Sequence, residues 1–268
     1  MKAIPVKILT YNTCFGLRAN TLIDAYNATW RVVHKRKDSE EINRKSDFSE
    51  VFDIINKEKP DLIILNEIFD NLQTEPLIRE LRKAGYKNTF IGNSGHHTNH
   101  LIVSTVVASR FDCKKVDLNL TFPGGIPGTG GGAAGIFIKE LDLFLVGLHI
   151  AYREDTLLMQ LKEIDQLFIR IKDKYKNIIF AGDFNREYKF YRKKSKMFRE
   201  FDFIKDKRTF PSFFPFYKPL KYLFKNLVIG QVDNIFYKGN IKTISSKVID
   251  DKRSDHKPFL VTIEIKKV

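Results

Sequence analysis

Six short stretches of this chain carry polar residues where an apolar run ends, and their chemistry is complementary. In AGDFN, Asp183 and Asn185 close the apolar run NIIFAG. Residues two apart on an extended chain project to the same side, so a carboxylate that orients water or holds a cation stands beside an amide. Gly182 permits close backbone approach just before them. In SDHKPF, Ser254, Asp255 and His256 lead into the last apolar run. Adjacent residues there point apart, so Asp255 is free to act as a hard oxygen ligand. His256, titrating near neutrality, needs a remote carboxylate to fix its tautomer. Asp233 in QVDNIFY is the candidate partner. In DLIILNE, Glu67 stands just past the apolar run LIIL, where a charge needs a reason, and a carboxylate at a cleft rim suits an oxygen-seeking cation such as Mg2+. ILTYN brings Asn12, and LVGLHIAY brings His149, to the same kind of position. Taken singly, each has a structural alternative: an Asx turn for Asp183 and Asn185, a turn for Asn12, a strand cap for Asp233, a satisfied core histidine for His149. The repetition of the pattern is what points to a site.

Placing these residues requires many strand ends. Strand-like runs rich in Ile, Val, Leu and Phe occur at 6–11, 61–66, 101–109, 134–138, 143–150, 177–183, 232–238 and 258–265. Helical periodicity falls between them: 48–57, ending before Pro60; 75–84, closing before Gly85; and 156–175, with Leu157, Leu161, Ile164, Leu167, Phe168 and Ile171 on one face. The irregular alternation predicts a mixed α/β sandwich rather than a doubly wound sheet. No repeat or long linker divides the chain, so 1–268 reads as a single domain.

Lys and Arg exceed Asp and Glu by 46 to 32, a formal charge of +14, which favours polyanionic partners. Residues 186–225 hold thirteen Lys or Arg against four Asp or Glu, hence +9, interleaved with thirteen Phe or Tyr. Such a segment can engage phosphates and bases, or an anionic lipid surface. It can also be a hydrophobic cluster under a solvated face. Two cysteines, Cys14 and Cys113, make no disulfide framework. Lys7 interrupts the N-terminal apolar run, and no stretch is long enough to span a bilayer, so a cytoplasmic protein is expected. Residues 18–46 read as a charged helix or insertion. GHHTNH, with His96, His97 and His100, reads as a loop near the cleft rather than a zinc site. FPGGIPGTGGG (122–132) lacks the Gly-Lys-Ser/Thr ending of a phosphate loop and reads as a flexible hairpin or lid.

The stretches ILTYN, LNE, LHIAY, GDFN, VDNIFY and SDHKPF, with RTFPSF before VDNIFY, resemble the endonuclease/exonuclease/phosphatase superfamily, also called DNase I-like, in that family's order. LNE stands where many members have LQE, so Asn66 replaces a glutamine. LHIAY has some similarity to neutral sphingomyelinases, and FAGDFN with the helix before it to tyrosyl-DNA phosphodiesterases. The resemblance implies an α/β four-layer sandwich with two packed mixed β-sheets flanked by helices. It implies Mg2+, with Mn2+ as a substitute, held by Glu67, Asn12 and Asp255. It implies that Asp183 aligns or deprotonates water, and that Asn185 holds that water or a phosphate oxygen. His256, oriented by Asp233, would stabilise charge on the phosphoryl oxygens, and His149 would contact the phosphate. The expected activity is phosphodiester hydrolysis of nucleic acid, most simply DNA, as a nuclease or DNA-end-processing phosphodiesterase; no protein partner is expected. The alternatives are a sphingomyelinase-type phospholipid phosphodiesterase acting at an anionic membrane surface, or a catalytically silent binding module.

Overall fold

A computed structural model describes residues 3–17, 19, 21, 24, 46–93, 103–121, 132–205, 207–210, 230–251 and 253–266. The histidine loop 96–100, the glycine-rich stretch up to 131, most of 18–46 and the segment 211–225 therefore lie outside the described residues. In chain order the elements are β1 (Ala3–Asn12), α1 (Ser49–Glu58), β2 (Leu62–Phe69), α2 (Asp70–Lys83), β3 (Asn88–Asn93), β4 (Val103–Ser109), β5 (Lys114–Val116) and β6 (Ala133–Ile138). They continue with β7 (Leu143–His149), α3 (Glu154–Ile171), β8 (Asn177–Asp183), α4 (Tyr188–Lys194), β9 (Asp202–Phe203), β10 (Asp233–Lys238), β11 (Ile241–Val248) and β12 (Phe259–Lys266). They form two six-stranded sheets, ordered β11-β12-β1-β2-β4-β3 and β5-β6-β7-β8-β10-β9. Both are mixed: β1 runs parallel to β2, and β7 parallel to β8, while the other pairs are antiparallel.

The period of two along each strand sorts side chains into layers. Ile8, Leu62, Ile64 and Val107 of one sheet meet Ile136, Leu145, Ile179, Ala181 and Ile235 of the other in the central core. The alternate residues Leu9, Ile63, Leu65 and Val106 face outward against Val51, Ile55, Leu77 and Leu81 of α1 and α2. On the far side, Phe144, Val146, Ile178 and Phe180 pack under Leu157, Leu161, Ile164 and Phe168 of α3. This is the expected four-layer sandwich. Each fully buried Leu, Ile or Phe contributes on the order of 1.5–3 kcal/mol.

Two differences from the sequence expectation have physical causes. Helix α2 starts at Asp70, five residues before the expected 75, and carries Pro76 inside it. Its start is fixed by Gln73, whose Oε1 accepts the Phe69 N–H at 3.0 Å, a side-chain cap that propensity does not reveal. The basic, aromatic-rich segment divides by side. Tyr191, Phe198 and Phe201 are buried in the outer core beside Phe184 and Phe236, whereas Lys189, Arg192, Lys193, Lys194, Lys196 and Arg199 are exposed. These three rings stabilise the fold, and most of the groups that face outward are cations, with Glu200 and Asp202 among them.

Candidate active site

The same alternation that builds the central core delivers the polar residues. Asn12 shares the parity of Ile8, Asn66 that of Ile64, His149 that of Leu145, Asp183 that of Ile179 and Ala181, and Asp233 that of Ile235. Apart from Thr10 on β1, each strand therefore carries apolar residues or glycine between the sheets and has a polar side chain at one terminus on that same inner face. The register aligns these ends directly: Asn12 pairs with Asn66, Asp183 with His149 and Asp183 with Asp233.

Glu67 alone breaks the pattern. Strict alternation would turn it toward the helical layer, but its backbone is left-handed, φ 58°, at a register shift between Leu65 and Ile68. This bulge returns Ile68 to the outer core and leaves Glu67 with the polar cluster. Asn185 is also left-handed, φ 54°. Such backbone costs of order 1–3 kcal/mol for a residue with a side chain, and it concentrates at functional sites.

Asp183 is the hub. Its Oδ2 accepts the Asn12 Nδ2 at 2.8 Å and lies 3.6 Å from His149 Nε2 and 3.7 Å from His256 Nε2. Its Oδ1 accepts the Asn185 N–H at 2.8 Å, and its own N–H donates to Asn66 Oδ1 at 3.1 Å. His256 Nδ1 is 2.8 Å from Asp233 Oδ2, the remote carboxylate that the sequence required. Asp233 is set by Thr209, whose Oγ1 accepts its N–H at 3.1 Å. Phe210 lies against the His256 ring, with centroids 4.7 Å apart. Ser254 Oγ donates to Asn12 O at 2.8 Å and accepts the His256 N–H, which ties the C-terminal motif to the first strand. Glu67 Oε1 is 3.7 Å from His149 Nε2.

Burial shapes the electrostatics. Burial opposes charge on His256, but Asp233, Asp183 and Asp255 overcome it and raise its pKa well above that of free histidine. Burial lowers the pKa of His149, aided by the charge on His256 and opposed by Asp183. The surroundings therefore drive the two imidazoles in opposite directions, His256 toward its charged form and His149 toward its neutral one. Burial and the neighbouring Asp255 raise Glu67 to about 8, with an Asn12 hydrogen bond and His256 opposing. Burial likewise raises Asp183 and Asp255, against the attraction of His256.

All eight predicted site residues lie in this one cluster. Asp183, Asp233 and His256 bring candidate ligand atoms within 4.8 Å of one another. Because His256 Nδ1 is already bonded to Asp233, those three read first as a hydrogen-bonded His256–Asp233 pair with Asp183 3.7 Å from the other ring nitrogen. The hard oxygens of Glu67 and Asp255 are a better match for a divalent cation, since each carboxylate sits beside others of like charge. Sequence reasoning had not assigned Asn66 and Thr209 a part in the site. Asn66 Nδ2 donates to Thr105 Oγ1 and to Leu148 O, each at 3.0 Å, so that it links the two sheets behind Asp183. A buried amide next to Glu67 at the end of an apolar run was the available signal.

No curated protein matches the sequence. Solved structures share the fold. An endonuclease/exonuclease/phosphatase from Beutenbergia cavernae DSM 12333 aligns with TM-score 0.64 at 15% identity, covering 97% of this chain and 72% of that one. D. rerio TDP2 complexed with a single-strand DNA product aligns with TM-score 0.59 at 12% identity, over 97% of this chain and 98% of that one. An endonuclease/exonuclease/phosphatase family protein from Bacteroides thetaiotaomicron gives 0.58 at 12% identity, over 99% and 100%. The family profile itself matches residues 9–256, a span that opens just before Asn12 and closes on His256. With the ordered motifs, the paired sheets and the cluster around Asp183, that match places the chain in the endonuclease/exonuclease/phosphatase family, whose members are hydrolases acting on phosphoester bonds.

Proposed function

We propose that this protein is a Mg2+-dependent phosphodiesterase that hydrolyses nucleic acid, DNA in the first instance. The observation that carries the reading is the convergence on Asp183 Oδ2 of one amide and two imidazoles from distant parts of the chain. A phosphodiester repels anionic nucleophiles, so a hydrolase must position water, neutralise the phosphoryl oxygens and ease departure of an alkoxide. Asp183 is the group that aligns the water and accepts its proton, with Asn185 fixed beside it by a bond to Ile150 O. His256, charged and oriented by Asp233, donates to the phosphoryl oxygens as negative charge grows. His149, kept neutral by burial, contacts the phosphate as a hydrogen-bond donor. Glu67, Asp255 and Asn12 would hold the divalent cation, which supplies charge neutralisation at the phosphate and leaving oxygens.

Nucleic acid is favoured as substrate by the formal charge of +14 and by the exposed cations on and after α4. A structural neighbour, D. rerio TDP2, binds a single-strand DNA product. Among the described residues no helix is long and apolar enough to cross a membrane. The test is a panel of labelled single- and double-stranded DNA, RNA and choline-headgroup vesicles, with Mg2+ or EDTA. Mg2+-dependent cleavage of DNA, abolished in a folded Asp183→Ala variant, is expected. Turnover of the vesicles alone would refute the choice of substrate, and binding without turnover anywhere would refute the hydrolase reading.

A further inference from the structure

The loops that follow His149 and Asp183 are joined just outside the cluster. Beyond the Asn185–Ile150 bond, Arg186 Nη2 donates to Tyr152 O at 2.8 Å and Nη1 to Asn185 O at 3.2 Å. The guanidinium carbon lies 4.5 Å from the centre of the Tyr152 ring, within cation–π range. Four large hydrophobic residues are exposed among those described: Tyr152, Met159, Ile169 and Ile244. Met159 and Ile169 belong to α3 and Ile244 to the edge strand β11. Tyr152 instead stands three residues after His149, with 37% of its surface exposed. An exposed ring braced by a guanidinium, beside groups suited to a phosphate, has the composition of a stacking platform for a base.

We infer that Tyr152 and Arg186 receive an unpaired nucleobase flanking the cleaved phosphate, which makes single-stranded nucleic acid, or a frayed end, the preferred substrate. The inference rests on the phosphodiesterase reading, because the base is placed relative to a phosphate held by Asp183 and His256. In an intact duplex each base is already stacked and must be extruded, at some cost, before a side chain can cover it. Stacking is tolerant of base identity, since every base has a π face, so strand state rather than sequence is what this pair discriminates. Arg186 adds a permanent charge next to the backbone of the same nucleotide.

Equilibrium binding in EDTA separates this contact from turnover. Fluorescein-labelled oligothymidylate is compared with an equally long oligomer carrying abasic residues throughout, so that the phosphate number is constant. The native chain should prefer the base-bearing strand, and Tyr152→Ala should lower that preference by about 5- to 150-fold, the range for one stacked base. Tyr152→Phe should retain it, and Arg186→Ala should lose part of it. Because Tyr152 is exposed, a matching thermal melt will establish that the alanine variant is folded. A folded Tyr152→Ala variant with the native preference would overturn the platform even if DNA is hydrolysed. The Tyr152-dependent preference seen without Mg2+-dependent turnover would support the platform while refuting the hydrolase reading.

Discussion

Gly182 immediately precedes Asp183, and adding one methyl group there should disturb both stability and chemistry. Its φ of +139° is one that side-chain-bearing residues rarely adopt, and an added Cβ would lie 1.9 Å from Leu148 O, with Leu148 C and N the next nearest atoms. All three are backbone atoms of the neighbouring strand β7, so no rotamer change relieves the overlap. The strained φ costs roughly 1–3 kcal/mol, and parting β8 from β7 sacrifices ladder bonds at about 0.5–1.5 kcal/mol each. A total of roughly 3–5 kcal/mol follows, which lowers the melting temperature of a chain this size by on the order of 10 °C. Gly85 is the control, because its φ is +95° but nothing lies within 4 Å of an added Cβ. Gly85→Ala should cost only the conformational part, about 1–2 kcal/mol. The strand shift in Gly182→Ala also moves Asp183 relative to His149, its register partner. Misplacement of about 1 Å can cost roughly 100-fold in rate, so turnover well below the melting temperature should fall by that order. Thermal melts by circular dichroism, with activity at 20 °C set as roughly room temperature, provide both readouts. Equal destabilisation by the two variants, or native melting and turnover in Gly182→Ala, would refute the steric reasoning.

Three further substitutions probe the surrounding scaffold. Asn66→Leu removes the partners of the Asp183 N–H, Thr105 Oγ1 and Leu148 O; chemical denaturation should show a loss of about 2–4 kcal/mol, and a loss below about 0.5 kcal/mol would deny the link. Asp233→Asn withdraws the carboxylate bonded to His256, so the His256 pKa should fall in an NMR titration performed in EDTA. A raised folded pKa contributes stability that is full below the unfolded value near 6.5 and is lost as pH rises through the folded value; the variant should therefore lose most stability at the acid end, and an unchanged titration would contradict the pairing. Tyr11→Phe deletes the buried donor to Asp251 Oδ2 at 2.9 Å, ahead of the loop bearing Asp255 and His256. It should cost about 1–3 kcal/mol by the same denaturation assay, and a neutral result would show that Asp251 finds another donor.

The eight strands expected from the sequence are the interior strands of the two sheets. The four unpredicted ones, β3, β5, β9 and β11, are the sheet edges. The physical cause is visible in β11, whose side chains are mostly partly or fully exposed, and in β9, which has two residues. Interior strands are covered on both faces and read as continuous apolar runs, whereas edge strands need no such pattern. Asn12, His149, Asp183 and Asp233 were legible because each follows the parity of its strand. Glu67 was legible as a residue type but not in its direction, which depends on a bulge that no local pattern announces. The aromatic composition of 186–205 was ambiguous because burial of these rings depends on partners distant in sequence, Phe236 for Tyr191 and Phe198, and Phe168 and Phe180 for Phe201.

The dependence of single-stranded DNA hydrolysis on Mg2+ concentration, measured for the native chain and for Glu67→Gln, probes the proposed catalytic arrangement most directly. A cation seated on Glu67 and Asp255 predicts saturable activation of the native chain, and in the variant a midpoint shifted to much higher Mg2+ with a reduced ceiling. Identical midpoints and rates, or cleavage indifferent to Mg2+ in both, would contradict it.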